Sequence, residues 1–401
     1  MSVHLQRIEV RHEFPVVFTR QVFAAGNRAL LDAIARVPSA SPRRCLVLID
    51  RGVLRAFPDL SKHIREWFAR HADAFHLVRH PLVLSGGEPI KQSTRSVQRI
   101  IEALRTGDIC RHSYCLAVGG GAFLDAAGLA AALFHRGVRL VRIPTTALAQ
   151  CDSGVGVKNA INHAGSKNLL GTFAPPWAVV NDSAFLDSLP LPLLLDGIAE
   201  AVKVAAIKDA AFFSAIERAA PRIARGDLPA IRRILQRCAL LHLEHIATSG
   251  DPYELGTARP LDYGHWAAHK LETLTRHRIS HGHAVAAGIA LDALYAACSG
   301  LLPERQAMRL INTLRTCGLP VYAPELSKAD RRGRLAVLAG LEEFRAHLGG
   351  TLTLTFPSPL GSRTELHSID ETLMTDCIAT LSDWGQPLNL EFQTQRVTFK
   401  G

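Results

Sequence analysis

A change of hydrophobic pattern midway along the chain constrains the fold more than any other feature. In the first half, short apolar runs bounded by breakers alternate with segments of helical period, which is typical of a mostly parallel sheet covered by helices. The runs that predict strands are residues 45–49, 75–84, 114–118, 138–143 and 177–180, and the helical segments include 97–104 and 123–134. From about Pro192 the chain shows long amphipathic helical patterns with one strand-like run, residues 352–356.

The Pro-containing stretch LPLPLL, residues 189–194, lies where this pattern changes. Proline and its preceding residue disfavour a continuous helix, so such a stretch favours a domain boundary. We therefore predict an α/β domain over residues 1–190 and a mainly helical domain over residues 191–401.

Composition excludes several classes of protein. Of the 401 residues, 48% are hydrophobic and 20% are charged, which suits a folded globular chain. The longest nearly apolar stretch, residues 122–134, contains Asp125 and is shorter than the roughly 18 to 20 residues that a membrane-spanning helix needs. The first fourteen residues have no apolar signal segment, so we expect no membrane partner and a cytoplasmic location.

The net charge and the cysteines exclude further classes of protein. The formal net charge is +10, but its arginines are spread along the chain without a basic block, which argues against a nucleic-acid partner and suits an enzyme for anionic substrates. The eight cysteines include no C-x-x-C pair, which predicts reduced thiols rather than a disulfide framework or a zinc ribbon.

A glycine triplet, residues 119–121, follows the apolar run YCLAV and precedes the helical pattern that contains Asp125. Backbone amides at such a helix N-terminus can bind a pyrophosphate because no side chain intervenes. Asp50 ends another apolar run, where a ribose hydroxyl could be held, and Glu88 and Lys91 lie in the loop SGGEPIK. Taken singly, the triplet also fits a plain turn and the other residues fit a surface loop.

Histidines with metal-ligand spacing occur in the second half. His265 and His269 are four residues apart and share a helical face, and His281 and His283 follow in a segment that we predict as a loop. Glu200 offers a third ligand, with Lys203 on the same face of its helix. One Glu and two His would leave an open position for a catalytic zinc. A solvated pair is the alternative, because the chain has 18 histidines.

The ordered set of these segments resembles the sugar phosphate cyclases, the superfamily of 3-dehydroquinate synthase. The matching text, over roughly residues 40–290, is GGGAFLDAAG, then HRGVRLVRIPTTALAQCDSGVGVKNAINHAGSKNLLGTFAPP, GIAEAVKVAAIKD, LDYGHWAAHKLE and ISHGHAVAAGIALD. The resemblance implies an α/β fold with an N-terminal Rossmann-like NAD-binding domain and a mainly α-helical C-terminal metal-binding domain. It also implies a homodimer, in which Arg136 reaches the neighbouring subunit's site.

The resemblance further implies the residues of the site. NAD would be bound by Asp50, Glu88, Lys91, Gly120, Gly121, Asp125, Thr145, Thr146 and Asp152. Zinc or cobalt would be bound by Glu200, His265 and His281. The sugar phosphate substrate would be lined by Lys158, Asn168, Lys203 and His269, with Arg136 and Lys167 near its phosphate.

The chemistry implied is an intramolecular cyclisation without net oxidation. NAD transiently oxidises one secondary hydroxyl of a heptulose 7-phosphate, phosphate leaves by β-elimination, the ketone is reduced again, and an aldol closure forms the carbocycle. The metal polarises the oxidised oxygen, and lysines and arginines offset the phosphate charge.

The chain departs from 3-dehydroquinate synthases where those enzymes carry a lysine and an arginine that clamp the substrate carboxylate. Leu241 or His242 stands in place of the lysine, Ala258 in place of the arginine with Arg259 displaced by one position, and Asp262 replaces an asparagine. A substrate carboxylate without its bidentate partner would bind poorly.

A later segment, GLEEFRAHLGGTLTL, resembles cyclases that act on sedoheptulose 7-phosphate, such as 2-epi-5-epi-valiolone synthase, in which Arg345 and His347 would belong to the active site. That substrate has no carboxylate. We therefore favour sedoheptulose 7-phosphate over 3-deoxy-arabino-heptulosonate 7-phosphate, the substrate of 3-dehydroquinate synthase, although His269 retains the dehydroquinate synthase pattern.

Two other functions fit parts of the sequence. Metal-dependent alcohol and polyol dehydrogenases share the two-domain layout, the glycine-rich NAD loop and a metal site, but they lack the text DSGVGVKNAINHAGSKN, and they accumulate NADH. A nucleic-acid-binding or regulatory pseudoenzyme would fit the positive charge, but the sequence has no basic patch interleaved with aromatic residues.

Overall fold

A computed structural model describes residues 3–164, 166–254, 260–347 and 349–385. The chain divides into two units, one formed by Met1–Thr145 and Gly154–Ala184, the other by Thr146–Ser153 and Phe185–Gly401. The chain therefore passes from one unit to the other at three points, after residues 145, 153 and 184.

The first unit is built on a sheet of seven described strands. Their order is β1-β9-β6-β5-β2-β3, with β4 also paired to β2, and all of these pairings are parallel. The strands are β1 (Val16–Thr19), β2 (Arg43–Asp50), β3 (Phe75–Leu77), β4 (Leu82–Leu84), β5 (Tyr114–Gly119), β6 (Arg139–Pro144) and β9 (Ala178–Asp182). The helices are α1 (Ala29–Ile34), α2 (Arg51–Ala56), α3 (Leu60–Arg70), α4 (Thr94–Thr106) and α5 (Gly121–Leu133). The predicted parallel α/β architecture is confirmed.

The differences from the predicted strands have local causes. The run 75–84 forms two short strands instead of one, because the polar pair Arg79 and His80 and the following Pro81 interrupt it. The edge strand β1 was not predicted, and all four of its residues are only half-buried.

An antiparallel hairpin, β7 (Lys158–His163) and β8 (Ser166–Phe173), also belongs to the first unit and was not predicted. Six of the eight β8 residues are exposed, so the strand lacks the apolar alternation that a half-buried strand shows. The hairpin carries three predicted substrate residues, Lys158, Lys167 and Asn168.

The second unit is mainly helical. Its helices are α6 (Leu191–Lys208), α7 (Ala210–Ile223), α8 (Leu228–Thr248), α9 (His265–Leu274), α10 (His281–Cys298), α11 (Glu304–Thr316), α12 (Ala339–His347) and α13 (Glu371–Gly385). A small antiparallel pair, β10 (Leu354–Pro357) and β11 (Arg363–Leu366), accounts for the strand-like run near residue 352. In the described parts of both units, no helix combines the length and the apolar character needed to cross a membrane.

Helices α6 and α10 form the centre of this unit. Residues 194–207 of α6 and 284–296 of α10 are buried throughout, which agrees with their nearly continuous apolar sequence. The segment Thr146–Ser153 packs against α6, because a Cβ on Gly197 would lie 2.9 Å from the Cβ of Ala147. Charged residues on these helices are therefore removed from water.

The predicted loop that contains His281 and His283 is wrong, because helix α10 begins at His281. Gly282, which favoured a loop, instead permits close packing of α10 on α6. A Cβ at this position would lie 2.2 Å from the Cα of Asp196, a separation that real Cβ atoms do not adopt.

Gly282→Ala is expected to lower the free energy of unfolding by about 2–3 kcal/mol, because the added methyl group must push α10 away from backbone rather than from a flexible side chain. Urea unfolding followed by circular dichroism measures this change. Gly26→Ala is the matched control, since a Cβ there meets no atom within 4 Å. Equal stability of the two variants would contradict the packing described.

Candidate active site

Helix α6 places a carboxylate and an ammonium group in the interior of the second unit. Glu200 and Lys203 are one turn apart, with side chains 0% and 3% exposed, and Lys203 Nζ contacts Glu200 Oε2. Burial raises the pKa of Glu200, but the charge of Lys203 and a hydrogen bond from His281 outweigh it and bring the pKa to about 2. Glu200 is therefore an anion under all ordinary conditions.

His265 begins helix α9 and points its Nε2 atom towards this carboxylate. Gly264 precedes it with φ of +77°, a left-handed conformation that glycine adopts at no steric cost. His265 Nδ1 lies 3.1 Å from the carbonyl oxygen of Tyr263 and must donate to it, which leaves Nε2 as a lone-pair donor 3.8 Å from Glu200 Oε1. Burial also keeps the pKa of His265 well below its usual range, so the ring is neutral.

His281 approaches from the start of α10. Its Nε2 atom lies 3.4 Å from Glu200 Oε1, and its Nδ1 atom lies 3.5 Å from Glu272 Oε2. Burial opposes protonation of the ring, but the two carboxylates outweigh it and raise the pKa of His281 to about 10. A divalent metal would replace this proton, with Glu272 orienting the ring from behind.

These three residues have the geometry of a metal site. Their ligand atoms all lie within 4.8 Å of one another. Both carboxylate oxygens of Glu200 are buried, and a buried anion is costly unless cations balance it. Lys203 contacts Oε2, and Oε1, which both imidazoles approach, is the oxygen that a metal ion could use. Two imidazole nitrogens and one carboxylate suit zinc or cobalt and leave a coordination position open.

His269 lies beside this cluster. Its ring centre is 5.3 Å from that of His265 and 6.1 Å from that of His281. A second possible ligand group, His269, Glu272 and His281, shares His281 with the first. Glu200, His265 and His281 could hold a metal while Glu272 orients His281, and the exposed His269 would then be left to face a substrate.

Leu241 and His242, the two candidates for the position of the synthase lysine, have different surroundings in the structure. Leu241 is buried in the core, whereas His242 Nδ1 lies 3.3 Å from Asp152 Oδ1. Asp152 Oδ2 in turn lies 3.8 Å from Lys203 Nζ. Asp152, predicted as a cofactor ligand, and His242 therefore extend the polar cluster around Lys203. Ala258 and Arg259 lie outside the described residues.

A buried carboxylate on α10, Asp292, was not identified from the sequence. Its Oδ2 atom accepts a hydrogen bond from Gly264 N at 3.1 Å, and its Oδ1 atom accepts one from Trp266 Nε1 at 2.9 Å. Burial raises the pKa of Asp292 to about 7. The two bonds flank His265 and hold the start of α9.

Asp292→Asn is expected to weaken zinc binding about tenfold, because an amide offers only one acceptor oxygen to the two donors and lets His265 shift. Competition with a chromogenic chelator measures the zinc affinity. Glu343→Gln on the surface of α12, whose side chain is 59% exposed, is the control. An unchanged zinc affinity in Asp292→Asn would show that Asp292 does not position the ligand.

In the first unit, the carboxyl ends of the neighbouring strands β2 and β5 form a cradle of glycines and Asp50. Gly120 caps helix α5 with an extended backbone, φ −76° and ψ 175°. Asp50 Oδ1 accepts a hydrogen bond from Gly52 N at 2.8 Å, and a Cβ on Gly86 would lie 1.8 Å from Asp50 Oδ2. This bare backbone and a carboxylate at the switch between strand and helix fit a dinucleotide.

Lys91 connects predicted cofactor residues with a predicted substrate residue. Its Nζ atom donates to Asp125 Oδ2 at 2.7 Å and to Asn168 Oδ1 at 2.5 Å. Asn168 has a left-handed backbone with φ of +53°, and its N–H donates to Asn162 Oδ1 at 3.0 Å. Asn162 also donates to Glu88 Oε1 at 2.6 Å. The structure thus links Glu88, Lys91 and Asp125 through Asn162, which the sequence analysis missed.

The remaining predicted site residues lie in other segments of the sequence than the two clusters around Glu200 and Lys91. Lys158 is exposed at the start of β7, and Arg136 is exposed in a short turn with φ of +62°. Thr145 belongs to the first unit and Thr146 to the second. Arg345 is exposed on α12 and pairs with Glu342 at 3.2 Å. His347 ends α12, and its side chain lies outside the described part of the structure.

Comparisons with known proteins match nearly the whole chain. The family model for the N-terminal part of 3-dehydroquinate synthase matches residues 81–194, and the model for its C-terminal part matches residues 197–336. A 2-epi-5-epi-valiolone synthase from Actinomyces sp. is 32% identical over 382 residues, which cover 93% of this chain and 96% of the relative. A 3-dehydroquinate synthase from Pelobacter propionicus is 37% identical and covers 64% of this chain and 69% of its own length.

Among solved structures, the 2-epi-5-epi-valiolone synthase of Streptomyces hygroscopicus subsp. jinggangensis, with NAD+ and Zn2+ bound, superposes with a TM-score of 0.82. It is 27% identical, and the match covers 95% of this chain and 100% of that one. A protein of Sinorhizobium meliloti described as a probable glycerol dehydrogenase shares the fold with a TM-score of 0.57, at 18% identity over 94% of this chain and 100% of that one.

Proposed function

Because this chain belongs to the 3-dehydroquinate synthase-like family of sugar phosphate cyclases, we propose that it converts a heptulose 7-phosphate into a carbocycle with release of phosphate. The observation that carries the proposal is the buried cluster of Glu200, His265 and His281 with Lys203 beside it. Sedoheptulose 7-phosphate is the proposed substrate, and secondary metabolism in the cytoplasm is the proposed setting.

Two cofactors follow from the donor sets. Glu200, His265 and His281 would hold zinc or cobalt, and Asp50, Gly120 and the other predicted residues around the glycine triplet would hold NAD. When bound, NAD would accept a hydride from the substrate and return it, while the metal would polarise the hydroxyl oxygen concerned. The NAD+ and Zn2+ bound to the similar synthase support this choice.

The side chains of the chain itself would bind the substrate and manage its charge. Lys158 would line the substrate, and Lys167, with Arg136 from the neighbouring subunit, would hold the phosphate group, since ammonium and guanidinium groups donate strong hydrogen bonds to phosphate oxygens. Lys203, kept cationic by Glu200 and Asp152, would donate to a substrate oxygen beside the metal ligands. Its raised pKa, which those carboxylates maintain against the effect of burial, makes it a hydrogen-bond donor rather than a base.

The choice of sedoheptulose 7-phosphate rests on the surroundings of Asp152. The charge of Lys203 is already balanced by Glu200 and Asp152, and His242 stands beside Asp152 where a second fixed cation would be needed to hold a carboxylate. A substrate carboxylate placed beside Asp152 would be repelled by its negative charge. A substrate hydroxyl at the same place could both donate and accept hydrogen bonds. The 2-epi-5-epi-valiolone synthase relative, matched over 96% of its length, agrees with this choice.

Phosphate release from purified protein with NAD and zinc or cobalt tests the proposal. Sedoheptulose 7-phosphate and 3-deoxy-arabino-heptulosonate 7-phosphate are compared in parallel, with absorbance at 340 nm monitored for NADH. Release from the first substrate without accumulation of NADH is expected. Release from the second alone would make the enzyme a divergent 3-dehydroquinate synthase, and stoichiometric NADH would indicate a dehydrogenase.

We also propose that the enzyme is a homodimer that pairs through the β8 strand. Leu169, Leu170 and Phe173 on this strand are 55%, 40% and 41% exposed, a concentration of apolar surface that is unusual for a monomer. The double change Leu169→Glu with Phe173→Glu is expected to shift the protein from dimer to monomer in sedimentation velocity. A wild-type protein that sediments as a monomer would overturn the proposal.

A further inference from the structure

Arg142 is a fully buried arginine in the middle of the parallel sheet. Its strand β6 lies between β9 and β5, and its side chain is 0% exposed. Strands covered on both faces are normally apolar throughout, and a buried cation is unfavourable unless its donors are satisfied. Arg142 therefore departs from the apolar pattern of the sheet, and this departure needs a functional explanation.

The guanidinium group is bound by one short stretch of backbone. Nη1 donates to the carbonyl oxygens of Gly156 at 2.7 Å and Gly154 at 3.3 Å. Nη2 donates to the carbonyl oxygen of Lys158 at 3.0 Å and to Asn159 Oδ1 at 2.7 Å. Every second carbonyl from residue 154 to residue 158 thus faces the same cation, which fixes the path of the chain into strand β7.

The side chain keeps its charge in this position. Burial lowers the pKa of Arg142 to about 10, against the attraction of Asp125, so the group is protonated at neutral pH. Its four hydrogen bonds go to carbonyl and amide oxygens, and hydrogen bonds from a charged donor are stronger than neutral ones.

Asn159 adds a second anchor to the same stretch. Its Nδ2 atom donates to the carbonyl oxygen of Ala174 at 3.3 Å, so the residue joins the guanidinium group to the chain after β8. A Cβ on Gly128 of helix α5 would lie 1.6 Å from Asn159 Oδ1. The helix therefore carries a glycine where the amide needs room.

We propose that Arg142 is a positioning residue for Lys158, acting through the backbone of residues 154–159. The inference rests on the proposed function in one respect, the role of Lys158 in lining the substrate. Lys158 is exposed, and the direction of its side chain follows from the backbone that Arg142 holds at the carbonyl oxygens of Gly156 and of Lys158 itself. Lysine cannot replace Arg142, because an ammonium group lacks the planar fork that reaches four acceptors at once.

Hydrogen–deuterium exchange tests the anchoring without any need for activity. In Arg142→Lys, amides of residues 154–159 are expected to exchange about tenfold faster than in the wild type, while strands β2 and β5 stay protected. Arg139→Lys, half-buried at the start of the same strand and bonded to His112 and Tyr114 rather than to residues 154–159, is the matched control with no expected change in this segment. Should Arg142→Lys fold poorly, Asn159→Ser removes one of the four acceptors and is expected to accelerate the same segment to a smaller extent.

A double-mutant cycle tests whether the effect passes through Lys158. Arg142→Lys is expected to lower kcat/KM for phosphate release about 30-fold and Lys158→Ala about 1,000-fold, while the combined variant falls no further than Lys158→Ala alone. A purely structural role would give multiplied losses, which would overturn the proposal, as would unchanged exchange of residues 154–159. If the wild type releases no phosphate from either heptulose phosphate, the proposed function fails, whereas the exchange result still decides whether Arg142 fixes this segment.

Discussion

His265→Ala is expected to lower zinc affinity about 1,000-fold or more and to abolish phosphate release, because it removes one of the three proposed protein ligands. The fold should persist, since the cluster lies among helices whose apolar packing does not involve this ring. Zinc content after dialysis, measured by inductively coupled plasma mass spectrometry, together with far-ultraviolet circular dichroism, separates loss of metal from loss of structure.

The two histidines at the start of α10 provide the matched comparison. His281→Ala is expected to behave like His265→Ala. His283→Ala is expected to keep its zinc, because His283 Nδ1 lies 3.0 Å from Asp196 Oδ1 and 2.7 Å from Ser280 Oγ rather than facing Glu200. Zinc retained by His281→Ala and lost by His283→Ala would refute the assignment of ligands.

Lys203→Ala is expected to lower phosphate release about 1,000-fold while zinc remains bound, which distinguishes a substrate-binding cation from a metal ligand. It should also destabilise the metal-free protein by about 3 kcal/mol, because the buried Glu200 then loses its nearest positive charge. Zinc can replace that charge, so the loss of stability should be much smaller in the metal-loaded enzyme. Thermal unfolding with and without zinc measures the difference.

Lys208→Ala is the control for this prediction. Lys208 ends the same helix, and the acidic residue that acts on it, Glu244, is exposed, so its removal leaves no buried anion without a partner. Normal turnover in Lys203→Ala would sink the proposed site, and an equal loss of stability with and without zinc would show that Glu200 does not face the metal.

The parts of the fold that the sequence predicted are those in which periodicity reports burial directly. Strands β2 and β5 contain continuous apolar runs and β6 contains one that only Arg142 interrupts, and a parallel sheet follows from their alternation with helices. The hairpin β7–β8 escaped prediction because its outer strand is largely exposed. The start of α10 was mistaken for a loop because Gly282 reads as a helix breaker, whereas its lack of a side chain is what allows α10 to approach Asp196.

The sequence pointed to candidate metal ligands but not to the residues that support them. Glu200, His265 and His281 could be proposed as metal ligands because their spacing and the resemblance to sugar phosphate cyclases both indicate such a role. Asn162, Asp292 and Arg142 act through contacts with residues distant in sequence, and no local pattern marks them. A polar residue in an apolar run was the one available signal, since Arg142 interrupts the run from residue 138 to residue 143 and Asp292 interrupts that of α10.

The passage of the chain between units has a consequence for any attempt to divide the gene. The eight residues Thr146–Ser153 belong to the helical unit although sequence of the other unit flanks them on both sides. A fragment that begins at Phe185 would lack Asp152, the partner of Lys203 and His242, and a fragment that ends at Ala184 would carry this segment without the α6 surface it packs on. Expression of the two units from an open reading frame cut between them should therefore yield two insoluble halves. A circular permutant that preserves the contacts of Thr146–Ser153 with α6 is the route to separating the units.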